Sequence, residues 1–278
     1  MKDIKEIVEW NLAGWGWKTT PERKTTPERW CSRLERACAL LKEKVPDAWI
    51  IGLSEVIPGR DNKYVDIIRQ NFPNYVIILP QAYNKNYRSA INIVLINEEG
   101  YLNHSVGTLE DLEEGSLLYN YMTIITDYGC FRLLNCHIPS VAFNENRSSY
   151  YKRRKDLRTL FEEVIYETSA PYQKELDIQY ICMMDANASP DSHFIQNLCG
   201  GVSPVLFNAT QDRRTPTWIN SEHCSNHIDY ICYGMGSLMA PIIDVYSNRI
   251  IDTPIAEKIS DHALLVGKIK TNVDGWVA

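Results

Sequence analysis

IQYICMMDAN, residues 178–187, is an apolar run of strand-forming residues that stops at a carboxylate, Asp185, with a carboxamide two positions further on at Asn187. Side chains of an extended strand alternate faces, so Asp185 and Asn187 are expected to project from the same side of the strand end. A carboxylate in such a place can activate water or hold a cation, and an amide can donate hydrogen bonds to an oxyanion without adding charge. Asp and Asn also favour turns and cap helices for local reasons, so a plain strand-to-turn junction competes with that reading. The two are separated by whether other strands stop on polar side chains in the same way.

Working outward, they do. KEIVEWN (Lys5–Asn11) alternates Ile7, Glu9 and Asn11 against Glu6, Val8 and Trp10 and ends on Asn11. AWIIGLSE (Ala48–Glu55) is a short apolar run that halts at Glu55, and FRLLNCH (Phe131–His137) ends on His137. Alternation places Cys136 on the face opposite His137, which argues against a Cys/His nucleophilic pair. IDYICY (Ile228–Tyr233) has Asp229 near its start, where partial burial demands a partner such as a histidine. The last strand, Ala263–Ile269, is preceded by Ser260-Asp261-His262. Between these runs, helical spacing of Trp30, Leu34, Cys38, Leu41 and Val45 predicts a surface helix over 28–45, and Tyr64–Phe72 a shorter one. A third helix is expected over Ser149–Ser169, opening with the basic YYKRRKDLR, and a fourth from Ser189-Pro190-Asp191 to Gly200-Gly201.

The remaining segments are less specific. KTTPER occurs twice in tandem, at Lys18–Arg23 and Lys24–Arg29, and reads as a loop insertion in which each Pro interrupts regular structure. Arg88, Lys152, Arg153 and Trp218 are the candidates to touch a phosphate or a base, against the plainer reading of a solvated loop and an exposed helix face. His223, Cys224 and His227 lie close in sequence, but their spacing matches no closed four-ligand zinc site.

The 278 residues, 45% of them hydrophobic, suffice for one large domain, and nothing marks an internal boundary. With 29 basic and 35 acidic residues the net charge is -6, so the chain lacks a global electrostatic footprint for nucleic acid, while local basic clusters remain open. The charged N-terminus MKDIKEIVEW has no secretory apolar core, and no run approaches the ~20 apolar residues of a membrane span. A soluble, cytoplasmic monomer without membrane association is expected. Of the eight cysteines, Cys136, Cys182 and Cys232 fall in apolar runs, as reduced, buried thiols do.

Gathered at one rim, Asn11, Glu55, His137, Asp185, Asn187, Asp229, Asp261 and His262 suit hydrolysis of a phosphate ester. Glu55, with Asp261, offers hard oxygen ligands for a divalent cation such as Mg²⁺, Asp185 and His262 can manage a nucleophilic water, and Asn187 and His137 can stabilise developing charge.

The segments WNL (Trp10–Leu12), GLSEV (Gly52–Val56), CHIPS (Cys136–Ser140), MMDAN (Met183–Asn187), HIDYI (His227–Ile231) and SDHALL (Ser260–Leu265), in this order, resemble the endonuclease/exonuclease/phosphatase (DNase I-like) superfamily. The resemblance spans nearly the whole chain and implies a single catalytic domain over 1–278. The implied fold is α/β (α+β), a four-layer sandwich of two mostly antiparallel β-sheets flanked by helices, with the site at one edge. It further implies Asn11 and Glu55 as the metal-side pair, Asp185 and Asn187 as the residues positioning water and phosphate, and His262 facing the phosphate under the control of Asp229. His137 would be a second phosphate contact. The implied cofactor is Mg²⁺, with Mn²⁺ as substitute, and the implied substrate nucleic acid, DNA before RNA. The alternative is an inositol phosphate, lipid head group or small nucleotide, because one fold hosts many substrates through its loops. Ala13 stands where some nucleases carry a further polar residue, and no carboxylate that would pair with His137 can be placed.

Overall fold

Strand-forming runs rich in Ile, Val and Leu pair into two stacked sheets in the computed structural model of the chain. It describes residues 3–13, 27–80, 90–107, 119–127, 129–140, 158–160, 162–163, 165, 178–200, 207–208, 216–219, 225–234, 245–246 and 259–271. In chain order, β1 (Asp3–Asn11) leads to helix α1 (Pro27–Lys44) and β2 (Ala48–Val56). Helix α2 (Lys63–Asn71), β3 (Tyr75–Ile78), β4 (Ile91–Asn97), β5 (Tyr101–Gly107), β6 (Tyr119–Thr126), β7 (Gly129–His137) and β8 (Ile178–Asp185) follow. The chain continues with the short strands β9 (Phe207–Asn208), β10 (Trp218–Ile219) and β11 (Ser225–Asn226). It closes with β12 (Asp229–Gly234), β13 (Val245–Tyr246) and β14 (Leu265–Thr271).

One six-stranded sheet has the order β13-β14-β1-β2-β4-β3 and the other β5-β6-β7-β8-β12-β9, while β10 and β11 form a small hairpin. Each large sheet is antiparallel except for one parallel pair, β1 with β2 and β7 with β8. Parallel neighbours need a crossover. The first is α1, and the second contains the helical residues within 158–165.

Burial sorts the chain into layers. Ile7, Ile50, Val94, Leu133, Ile181, Met183, Ile231 and Leu265 meet between the sheets, with Trp49 edge-on to Phe131 at 5.0 Å. The opposite face of the first sheet, including Val8, Trp10, Ile51 and Leu53, packs on Trp30, Leu34, Leu41, Tyr64 and Ile68 of the two helices. The outer face of the second sheet, with Leu134, Tyr180, Met184 and Tyr230, takes Ile165, Phe194, Ile195 and Leu198. Helices, sheet, sheet and helices therefore form four layers, the expected architecture. Gly52 of β2 lets the sheets approach: a Cβ there would lie 2.8 Å from Met183 Cε. Buried Asn side chains tie the sheets together, Asn120 Nδ2 donating to Asn92 O at 2.7 Å and Asn135 Nδ2 to Ile93 O at 3.0 Å.

Several expectations need correction. Pro27 of the second KTTPER copy does not interrupt structure but opens α1, where a proline's missing N–H costs nothing; residues 18–26 lie outside the described residues. The helix near 190 starts later than expected, after Ser192, whose Oγ accepts from Ile195 N at 3.3 Å. It then widens into a π turn over Gln196–Gly200. Strand β5 was not anticipated, since YLNHSVG carries polar residues on an edge with solvent on one side. The seven described cysteines are free, Cys199 and Cys232 Sγ atoms lying 3.1 Å apart. No helix among the described residues is long and apolar enough to cross a membrane.

Candidate active site

Strand ends from both sheets converge at one edge of the sandwich. Parallel pairing sets His137 beside Asp185, and antiparallel pairing sets Asp229 on the other side of Asp185. From the facing sheet, Asn11 at the end of β1 donates Nδ2 to Asp185 Oδ2 at 2.8 Å and to Glu55 Oε1 at 3.3 Å. One amide thus holds the carboxylates of two different sheets.

Glu55 reaches this place through a bulge. The β2–β4 register shifts between Leu53 and Val56, and Glu55 has φ 56°. Such a bulge re-aims a side chain out of the regular pleat. The displaced backbone is caught by Asn92, whose Oδ1 accepts from Glu55 N at 3.4 Å. Asn187 is likewise not a simple continuation of strand alternation. At φ 46° it turns back, its N–H donating to Asp185 Oδ1 at 2.9 Å and its Nδ2 to Ile138 O at 2.9 Å, 3.1 Å from His137 Nε2.

His137 finds the carboxylates that the sequence could not supply: Nδ1 lies 3.7 Å from Glu55 Oε1 and Nε2 3.6 Å from Asp185 Oδ2. His262 Nδ1 lies 3.0 Å from Asp229 Oδ1, and its Nε2 3.9 Å from Asp185 Oδ2. The dyad is braced from behind. Trp10 Nε1 donates to His262 O at 3.1 Å, Ser260 Oγ accepts from His262 N at 3.0 Å and donates to Asn11 O, and Thr217 Oγ1 accepts from the N–H groups of Ile228 and Asp229. Ser260 and Thr217 were not among the expected residues, although Ser260 opens the Ser260-Asp261-His262 segment and Thr217 precedes Trp218.

Electrostatics follow from burial. Asp185 is 1% exposed, and desolvation with help from Asp229 raises its pKa, against the lowering influence of His137, His262 and Asn11. Burial alone would lower the pKa of His262, but Asp229 and then Asp185 outweigh it and hold the imidazole well above its ordinary value. Glu9, on the same face of β1 as Asn11 and one pleat deeper, is fully buried with neither carboxyl oxygen hydrogen-bonded. Desolvation, Asp229 and Asp185 push its pKa well up, which favours the neutral form, against the opposing influence of His262.

The donor set fits a hard divalent cation. One ligand atom from each of Glu55, His137 and Asp185 lies within 4.8 Å of the others, and the same holds for Asp185, Asp229 and His262. His137 Nδ1 is buried without a hydrogen-bond partner on the carboxylate side of this cluster. Carboxylate oxygens of this kind suit Mg²⁺ or Mn²⁺. Of the expected metal group Asn11, Glu55 and Asp261, the first two lie together, Asn11 Nδ2 3.3 Å from Glu55 Oε1. Asn11 turns its NH₂ group, not its oxygen, toward the carboxylates, and its Oδ1 accepts from Ala13 N at 2.7 Å. Asp261 stands outside both clusters, its Oδ2 accepting from Trp218 Nε1 at 3.1 Å. Trp218, expected to meet substrate, thereby braces the residue before His262. Arg88, Lys152 and Arg153 lie outside the described residues.

Two stacked sheets with helices outside make the DNase I-like fold, with Glu55, Asp185, Asp229 and two histidines at one edge. Solved structures agree over the whole length. A humanized D. rerio TDP2 superposes with a TM-score of 0.64 at 13% identity, covering 95% of this chain and 98% of that one. An endonuclease/exonuclease/phosphatase protein from Bacteroides vulgatus gives 0.63 at 15% identity, covering 98% and 100%. Beta toxin from Staphylococcus aureus gives 0.62 at 12%, covering 95% and 99%. No protein-family model matches the sequence, and comparison with curated proteins finds no match.

Proposed function

We propose that this chain is a divalent-metal-dependent phosphodiester hydrolase acting on nucleic acid, DNA in the first place and RNA in the second. The observation that carries the reading is the convergence of Glu55, His137, Asp185 and the Asp229–His262 dyad, drawn from four strand ends and the segment before β14, on one rim. Glu55 and Asp185 would hold the cation, Mg²⁺ with Mn²⁺ as substitute, which when bound offsets phosphate charge and polarises the ester. Asp185, oriented by Asn11 Nδ2 on one oxygen and the Asn187 N–H on the other, is placed to position an attacking water. His262, kept proton-rich by Asp229, donates a hydrogen bond to a phosphoryl oxygen as its charge grows. Asn187 and His137, 3.1 Å apart at Nδ2 and Nε2, flank the opposite side of Asp185, where they would border the phosphate. Support for a nucleic-acid substrate comes from a D. rerio TDP2 of the same fold solved with a single strand DNA product. The net charge of -6 favours the second reading, a small or lipid-borne phosphate ester.

The test is incubation of the purified protein with single- and double-stranded DNA and RNA, an inositol phosphate and a phospholipid, each with Mg²⁺ or Mn²⁺. Cleaved nucleic acid is expected, with turnover in His262→Ala falling by about 10²- to 10⁴-fold while substrate binding persists. Cleavage confined to the small or lipid ester replaces the substrate, and no hydrolysis of any ester overturns the reading.

A further inference from the structure

Arg158 closes the basic stretch YYKRRKDLR, for which an exposed helix face is the plain expectation, yet its side chain is only 14% exposed and turned inward. Its Nε lies 2.8 Å from Glu162 Oε1 one helical turn on, which fixes the guanidinium edge. The other edge points at backbone: Nη1 donates to Asn187 O at 3.0 Å and, more weakly, to Pro139 O at 3.5 Å. Those carbonyls lie in the turns that follow β8 and β7, the two strands ending in Asp185 and His137. Because Asn187 adopts φ 46°, its carbonyl leaves the ladder and requires a donor from elsewhere. The first sheet repeats the device. Arg33 of α1, the crossover between the parallel strands β1 and β2, donates Nη2 to Leu12 O, beside Ala13 at φ 51°. The backbone bonds beneath also correspond, Leu12 N to Ser54 O at 2.9 Å and Ile138 N to Asp185 O at 2.8 Å.

We propose that Arg158 is a positioning residue of the candidate active site: its guanidinium fork fixes the Asn187 turn against the Ile138-Pro139 turn and so sets where the Asn187 side chain and His137 stand at the rim. A planar fork can serve two carbonyls and a carboxylate at once, whereas an ammonium can be centred on only one of them. The kinetic part rests on the phosphodiester reading, and the structural part does not.

The experiment compares the full-length protein with Arg158→Ala and Arg158→Lys by amide hydrogen exchange over residues 136–140 and 185–190. It adds steady-state kinetics on bis-p-nitrophenyl phosphate with Mg²⁺. Arg158→Ala is expected to exchange faster in those two segments only, and to lose about 10- to 100-fold in kcat with KM little changed. Millimolar methylguanidinium should restore part of that loss without affecting the parent protein, and Arg158→Lys should fall between. Unchanged exchange in both segments overturns the proposal, as does faster exchange with full kcat. Should Arg158→Ala not fold, Arg158→Lys, which keeps the charge and stem, decides by the same readouts. If the parent protein hydrolyses no phosphodiester, the proposed function fails while hydrogen exchange still decides whether Arg158 is the clamp.

Discussion

Ala13, Glu55 and Asn187 hold φ of 51°, 56° and 46°, values that side-chain-bearing residues adopt at a cost of about 1–3 kcal/mol. Each sits where a strand ends or bulges at the site, and each gives its N–H to a side-chain oxygen, of Asn11, Asn92 and Asp185 respectively. The strain is thus held by three separate hydrogen bonds, and its effect is to turn Glu55 and Asn187 toward the rim. Glu55→Gln preserves shape and removes the charge. The Mg²⁺ concentration for half-maximal turnover should rise by at least the roughly 10-fold that losing even an outer partner of a metal ligand costs. An unchanged titration would remove Glu55 from the metal site. Sequence alone named Glu55 because a strand stopped there, but it could not name Asn92, whose role depends on a neighbouring strand.

At the scale of elements, the two parallel units, β1-α1-β2 and β7-crossover-β8, each bring two polar strand ends side by side. The contact between the sheets then decides whether the pairs face one another. Gly52 sits at that contact, under Met183 and Asn135. Gly52→Ala is expected to cost about 1–3 kcal/mol by overpacking, read as a lower denaturation midpoint with an unchanged denaturant slope. No change in midpoint would show that Met183 yields and that the sheet spacing is not set there. Strand boundaries were legible from alternation and from the all-buried run of β2, and α1 from its apolar period. Strands of two residues, such as β9 and β13, were not legible, because their existence depends on a partner rather than on their own pattern.

For the whole molecule, the site places Glu9, Asp185 and Asp229 in the interior, with the imidazoles of His262 and His137 to compensate. The pKa values of Glu9, Asp185 and His262 are all raised on folding. The folded state therefore binds more protons than the unfolded chain, and metal-free stability falls as pH rises, from above about pH 4 for the carboxyls and above about 6.5 for the histidine. In EDTA the melting temperature of the parent protein should decline relative to Asp185→Asn as pH rises through this range. A divalent cation should recover part of the difference, since it binds only the folded form. A gap that stays constant with pH would show that Asp185 titrates as it does in the unfolded chain.

The sequence by itself determined most of the long strands, that four of them stop on polar side chains, and the DNase I-like architecture its six motifs imply. Periodicity and strand ends are properties of neighbouring residues, so they survive without coordinates. Only the tertiary structure decided that His137 meets Glu55 and Asp185, that Asp261 turns to Trp218, that Glu9 is buried beside the site and that Arg158 faces inward. Each of those contacts joins residues whose separation in space is set by a bulge, a sheet-to-sheet spacing or the seating of a crossover helix, none of which leaves a local pattern in the chain.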